Sequence, residues 1–359
     1  ILPKRVDVDP EALRLLDEFE ERGEVLKKWL EILSSKVPSF RRVAFDIEVY
    51  TEREVIPSPS KAEDPILAAS FVSSDGLKLV TIYDLKGEVS REDFSEKEYE
   101  VEVYRDERTM LKRILEILDE YPFVITFNGD GFDLPYVYHR ALKLGFRKEE
   151  IPIKLGRNDA RLRKGIHIDL YKFFFNKSIK NYAFKNKYDV VSLDEISEAL
   201  LGQGKVKLEE WVSKVSPSIL ADYSFTDARL TYELTSFNND LVMRLITIIA
   251  RISNMTLDDV ARLAVSNWIK NRIVQMHREK GYLIPLPEEI ASKGEERISK
   301  PKTKGKKYIG AMVVQPKPGV YFGVTVLDFA SLYPSILKEY NISYETVRCP
   351  HEECKDNLI

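Results

Sequence analysis

The chain has 359 residues, of which 44% are hydrophobic and 31% charged, and its 55 basic and 58 acidic residues leave a formal net charge of -3. That length exceeds one typical domain and predicts two or three, while the near balance of charge means that any nucleic-acid surface must come from local segregation of charge. The longest apolar stretch, Leu245 to Ala250, lies between Arg244 and Arg251 and falls far short of a membrane span, and no secretory leader stands at the start, so the expectation is a soluble, cytoplasmic protein with no membrane partner.

The sequence opens on Ile1 and stops at Ile359 just after a new element begins, which predicts a piece of a longer protein. Asp9-Pro10-Glu11 reads as an N-cap with proline at the first helical position, leading into Leu13, Leu16 and Phe19 at helical spacing. A second helical run carries Leu26, Trp29, Leu30 and Leu33, and Pro38 separates this helical lead, residues 1–40, from the first acidic strand.

Val43-Ala44-Phe45-Asp46-Ile47-Glu48 is an apolar strand ending in two carboxylates one residue apart. Alternation puts Asp46 and Glu48 on one face. At roughly 4 Å and an effective dielectric near 20, two such charges repel by about 4 kcal/mol, a cost that a cation between them removes. The other reading is an edge strand with its charges in water.

Beyond a Pro/Ser-rich loop at Ile56 to Ser60, Pro65 to Val72 reads as a buried strand, Leu79 to Tyr83 as another, Met110 to Leu118 as an amphipathic helix and Phe123 to Phe127 as a short strand. This alternation predicts a mixed α/β domain. Asn128-Gly129-Asp130-Gly131-Phe132-Asp133 then turns into a helix from Leu134 to Leu144. Asp133 is either a first-turn charge or a third metal-binding carboxylate, with Asn128 and Phe132 placed to touch a substrate.

From His167 to Tyr188, seven aromatic residues interleave with lysines, a pattern suited to single-stranded nucleic acid and equally to a buried core. Ser192 to Glu195 reads as a capping box for a helix closed by Gly202. A longer helix from about Ser218 sets Tyr223 and Asp227 on one face, either as a surface pair or as part of a site. Helical pattern continues through Leu241 to Ile252 and restarts at Thr256 toward His277. Lys293 to Lys307 is a basic linker, solvated or touching phosphates. Val324 to Asp328 reads as a strand ending in carboxylate, with Pro334 placed to open a helix. Cys349, His351 and Cys354 are one ligand short of a closed zinc site. Few Cys and Met beside abundant Lys and Glu suit a thermophile.

Together Asp46, Glu48, Asp133 and Asp227 are four carboxylates on three separate elements, with Tyr223 one turn before the last. Two divalent ions about 3.5 to 4 Å apart need such a set to hold the attacking and leaving oxygens of a phosphoryl displacement. Magnesium, which keeps waters and binds phosphate oxygens, is the expected ion, with manganese as substitute.

Asp46-Ile47-Glu48, Asn128 to Asp133 and Tyr223 to Asp227 resemble, in order, the three proofreading-exonuclease motifs of family B DNA polymerases, and the sequence is similar to an archaeal replicative member. The resemblance continues through Tyr308-Ile309-Gly310-Ala311 to Asp328-Phe329-Ala330-Ser331-Leu332-Tyr333-Pro334-Ser335-Ile336, which looks like the first polymerase motif of the palm. It implies a ribonuclease H-like mixed-sheet exonuclease domain with flanking helices over 41–253, a helical segment and linker over 254–307, and the first strand and helix of a palm over 308–359.

By that resemblance Asp46 bridges both ions, Glu48 and Asp227 support the ion that activates water, and Asp133 acts on the second ion. Tyr223 orients the water, and Asn128 and Phe132 hold the last nucleotides of a frayed primer. Asp328 is a metal ligand for nucleotide addition, with Ser331, Leu332 and Tyr333 touching substrate and Tyr333 excluding a 2′-hydroxyl. The implied partners are a DNA primer-template and its single-stranded 3′ end. Deoxynucleoside triphosphates are expected only with the rest of the palm and the fingers, and a sliding clamp only through that remainder. Two other classes stay open: a stand-alone four-carboxylate exonuclease, and a catalytically silent scaffold that binds single-stranded DNA.

Overall fold

The computed structural model describes residues 23–51, 56–87, 89–90, 94–206, 210–292, 314–343 and 346. The helix read at Asp9 to Phe19, the basic linker, Tyr308 to Ala311 and the Cys349/His351/Cys354 group lie outside them. The chain forms two compact units, Ile1–Met276 and His277–Ile359.

The first unit is built on a six-stranded mixed sheet. Its strands are β1 (Arg42–Val49), β2 (Ile66–Ser73), β3 (Lys78–Tyr83), β4 (Glu100–Tyr104), β5 (Phe123–Thr126) and, after a short hairpin of β6 (Ile153–Leu155) and β7 (Ala160–Leu162), β8 (Ile166–Asp169). The order is β4-β3-β2-β1-β5-β8. β1 is antiparallel to β2 and parallel to β5, which is parallel to β8. Helix α1 (Gly23–Ser34) precedes the sheet, α2 (Glu107–Glu120) and α3 (Asp133–Lys143) lie between its later strands, and α4 (Leu170–Phe175), α5 (Leu193–Leu201), α6 (Pro217–Ser253), α7 (Leu257–Arg262) and α8 (Val265–Glu279) follow β8 in order.

Alternation along β1 decides what each sheet face buries. Val43, Phe45 and Ile47 enter a core with Met110, Leu111 and Ile114 of α2 and Leu134 and Val137 of α3. Ala44 faces the other way, into a core with Ile125, Ile168 and Leu230, Leu234, Val242 and Ile246 of α6. Asp46 and Glu48 therefore point to the α6 side, at the end of an otherwise buried strand.

Small residues let α6 approach closely. Ser70 Oγ, on the β2 residue opposite Asp46, donates to Ser224 O at 2.7 Å, and Ser224 Oγ donates to Ser70 Oγ at 2.9 Å. Asp227 comes one turn later on the same helix. Phe237 to Asp240 leave helical geometry, with Asn238, Asn239 and Asp240 in the left-handed region that Asn and Asp tolerate best among non-glycine residues. Buried Arg42 braces this break, its guanidinium reaching Thr235 Oγ1 at 2.9 Å and Asp240 Oδ1 at 2.5 Å.

The capping box read at Ser192 is half formed. Ser192 Oγ accepts from Glu195 N, but the Glu195 carboxylate takes the N–H groups of Asp189 and Val190 at 2.6 and 3.0 Å. Among the described residues no helix is long and apolar enough to cross a membrane.

In the second unit the described residues hold two short helices beyond the end of α8, Pro287–Ser292 and Leu332–Glu339. The strand read at Val324 to Asp328 is not formed, and its residues are exposed. A strand needs a partner to pair its backbone groups, and none stands beside it among the described residues. Pro334 sits in the first turn of the helix, where its missing N–H costs nothing.

Candidate metal centre

Asp46, Glu48 and Asp227 each bring a carboxylate oxygen to within 4.8 Å of the other two. At about that spacing and an effective dielectric near 20, each ionised pair repels by roughly 3 kcal/mol. Burial pushes the carboxyls of Asp46 and Glu48 well above the ordinary range, the charges of Asp133 and Asp227 add to both, that of Glu48 adds further to Asp46, and Asp227 is raised for the same first reason. Asp46 Oδ2 and Asp227 Oδ1 are buried with no hydrogen-bond partner among the described residues. Oxygen donors that converge, repel and lack partners are a set that a hard divalent cation satisfies.

Lys205 is the cation that the structure places there. Its Nζ lies 2.5 Å from Asp227 Oδ2 and 5.4 Å from the centre of the Tyr223 ring. Burial alone would lower its pKa, and Asp227 overcomes that and holds it above the usual lysine value. The loop is fixed by α5: Lys205 N donates to Asp194 Oδ1 at 2.7 Å, and a Cβ on Gly204 would meet that oxygen at 2.9 Å. Tyr223 is half-buried, and burial together with Glu48 and Asp227 pushes its phenol up to about 12, so it remains a hydrogen-bond donor at neutral pH.

Asp133 stands at the first residue of α3 but does not cap it. Its Oδ1 accepts the N–H of Ile47 at 3.2 Å, between the two acidic residues of β1, and burial pushes its carboxyl up to about 7. It is not one of the three residues whose oxygens converge.

Asn128 and Phe132 flank the turn after β5. Asn128 has φ of 71°, and Gly129 packs so closely that a Cβ would lie 2.2 Å from Thr126 Oγ1. Buried Asp169 ties this turn together: Oδ1 accepts from Asn128 N at 2.8 Å and Oδ2 from Asp130 N at 3.1 Å. Asp130 in turn pairs with two cations, Arg262 Nε at 2.8 Å and Lys172 Nζ at 2.7 Å, beside the His167 ring, whose Nδ1 lies 3.3 Å away. Burial would raise the Asp130 carboxyl, and the hydrogen bonds from His167 and Arg262 instead hold it well below the usual range.

Sequence reasoning missed Lys205, Asp169 and this cluster. Ile166-His167-Ile168-Asp169 carries the same signal as β1, an apolar run ending in carboxylate, and could have been found. Nothing in the spacing of Lys205 or Arg262 marks them. Because the Asp130 and Arg262 side chains are only 1% and 4% exposed, Asp130→Asn should destabilise the fold by about 3 to 5 kcal/mol, the cost of stranding a buried charge. The melting temperature should fall on the order of 10 °C. An unchanged melting curve would contradict the cluster.

Asp328, Ser331, Leu332 and Tyr333 belong to the second unit, where all four are exposed. Ser331 has φ of 50° and Leu332 begins the helix.

A mixed sheet flanked by helices, with carboxylates from its central strand and a crossing helix, defines an exonuclease domain of ribonuclease H-like type. The sequence matches the model of "DNA polymerase family B, exonuclease domain" over residues 22–186 and that of "DNA polymerase family B" over 256–358. The chain belongs to family B of the DNA polymerases. It is 47% identical over 333 residues to DNA polymerase 1 of Sulfolobus acidocaldarius, covering 92% of this chain and 38% of that one. It is 45% identical over 357 residues to DNA polymerase 1 of Sulfurisphaera ohwakuensis, covering 98% and 40%. The chain thus spans about two fifths of the length of these relatives. The family B DNA polymerase structure from the hyperthermophilic archaeon Pyrobaculum calidifontis superposes with a TM-score of 0.58 at 24% identity, covering 88% of this chain and 37% of that one, a likeness of fold. Tyr223 and Asp227 lie between the two matched segments.

Proposed function

We propose that this chain removes nucleotides from the 3′ end of DNA, as the editing part of a family B DNA polymerase. The observation that carries the proposal is the convergence of Asp46, Glu48 and Asp227 with two buried, unpartnered carboxylate oxygens. These residues would hold magnesium, or manganese in its place, with Asp133 supporting a second ion from beside Ile47. When bound, the ions supply charge for the oxygens that attack and leave the scissile phosphate. The rest falls to the chain's own groups. Tyr223, held protonated, orients the attacking water through its hydroxyl. Lys205 keeps Asp227 ionised and aimed. Asn128 and Phe132 hold the terminal nucleotide after it has left its duplex.

On this reading we assign 41–253 to the exonuclease domain, 254–307 to the segment that joins it to the polymerase part and 308–359 to the start of the palm, with 1–40 preceding them. In the whole polymerase Asp328 is a metal ligand for nucleotide addition, and Ser331, Leu332 and Tyr333 meet the incoming deoxynucleoside triphosphate. The primer-template is the shared partner, a sliding clamp is engaged through the rest of the protein, and the location is the cytoplasm, at the nucleoid. The match of 256–358 to the family's polymerase model favours this over a stand-alone nuclease.

A 3′ mismatch should be excised faster than a paired end, because unpairing costs a few kcal/mol less there. Phe132→Ala should slow excision of single-stranded and mismatched ends by roughly 5- to 100-fold, the worth of about 1 to 3 kcal/mol of stacking per base. Gel-resolved rates on matched and mismatched primers check this, and equal rates on the two in the unmodified chain would contradict it.

A further inference from the structure

Most rings of the aromatic and lysine-rich stretch belong to the core. Phe173, Phe174, Phe184 and Tyr188 are fully or almost fully buried. Phe175 is different, at 64% exposed. It stacks on Tyr171, one helical turn earlier in α4, with ring centroids 5.8 Å apart and planes 22° apart. Tyr171 in turn meets Phe127 edge-on at 6.0 Å. The three rings form a ladder that begins beside Asn128 and ends in solvent.

Asp169 fixes the near end of this ladder to the candidate site. The oxygen that accepts the Asn128 N–H, Oδ1, also accepts the Tyr171 N–H at 3.0 Å. β5, which Phe127 leaves, is the parallel neighbour of the strand that carries Asp46. Later in the same stretch of sequence, Lys177, Lys185 and Lys187 are exposed. An exposed ring continuous with the nucleotide-holding turn, and followed in sequence by cations, matches the alternation of base and phosphate in a single strand.

We propose that Phe175, backed by Tyr171 and through it by Phe127, is an upstream subsite on which a base of the single strand stacks as its 3′ end enters the acidic cluster. This rests on the excision reading above. The ladder acts on strand capture and leaves bond cleavage alone.

The test compares a 12-nucleotide single strand with a dinucleotide, using this chain with magnesium. Phe175→Ala, at an exposed position, should raise KM for the 12-mer by about 5- to 100-fold, with kcat and dinucleotide cleavage unchanged, while Phe175→Trp should behave as wild type. Fluorescence anisotropy in an Asp46→Ala background measures capture without turnover, and Phe175→Ala should weaken 12-mer binding by the same factor. Unchanged KM and unchanged binding would overturn the subsite, as would an equal loss on dinucleotide and 12-mer or a lowered melting temperature, which would make Phe175 a packing residue. If the wild type cleaves neither substrate but Phe175→Ala still weakens 12-mer binding, the excision reading falls and the strand-binding ladder stands.

Discussion

Asp46→Ala combined with Glu48→Ala should lower the rate of 3′ excision on the order of 10³-fold or more, and in EDTA the same variant should melt a few degrees higher than the wild type. The first effect arises because two of the three converging ligands vanish together, and bound metal supplies several kcal/mol of charge stabilisation at about 1.4 kcal/mol per tenfold in rate. The second comes from the sign of the electrostatics. Both carboxyls have their pKa raised in the folded protein, first by burial and then by the charges of Asp133 and Asp227 beside them, so without a cation their ionised forms oppose folding at neutral pH. Removing them relieves that opposition, as expected of a site arranged for function at the expense of stability. Excision assays and melting curves on the same preparations check both halves. A double variant that melts lower in EDTA would show that the carboxylates are structural, and full activity would remove them from the site.

Lys205→Ala should act in the opposite sense on stability and the same sense on activity. With no metal present Lys205 is the cation that meets Asp227, so its loss leaves a buried carboxylate unpaired and lowers the melting temperature in EDTA by a few degrees. Excision should fall about 10²-fold, the scale of losing one preorganised electrostatic contact. Lys205→Arg, which keeps the charge, should recover part of both. Melting in EDTA and excision rates on a single-stranded primer are the readouts. Excision unchanged in Lys205→Ala would leave the lysine with no part in the chemistry.

The acidic pair of β1 was legible because strand alternation is local: an apolar run with charges two apart can put both on one face only, and the structure fixes which, with Phe45 packed in the core of α2 and α3 and Ala44 in that of α6. Tyr223 and Asp227 had no such signal of their own. What sets them opposite Asp46 is the Ser70–Ser224 contact across 154 residues of sequence, which no spacing rule reports. Lys205 was invisible for the same reason, since its role depends on Asp194 holding a loop. The edge strand β4, Glu-Val-Glu-Val-Tyr, escaped because its burial is weak and its charges read as solvated chain. The aromatic stretch was read for both core and strand contact, and packing divides it: Phe173 and Phe174 inward, Phe175 outward. At Val324 to Asp328 the local pattern has the composition of a strand, but pairing is a property of the partner as much as of the segment.

The central claim is that the acidic cluster cuts DNA from its 3′ end with a divalent cation. The most direct measurement is a time course on a primer labelled at its 5′ end and carrying a 3′ mismatch, with magnesium and then with EDTA. The account predicts labelled products that shorten one nucleotide at a time, stop when EDTA is added and do not appear with the Asp46/Glu48 double variant. A primer that stays intact, releases its label as a mononucleotide from the outset, or is shortened equally well in EDTA would contradict it.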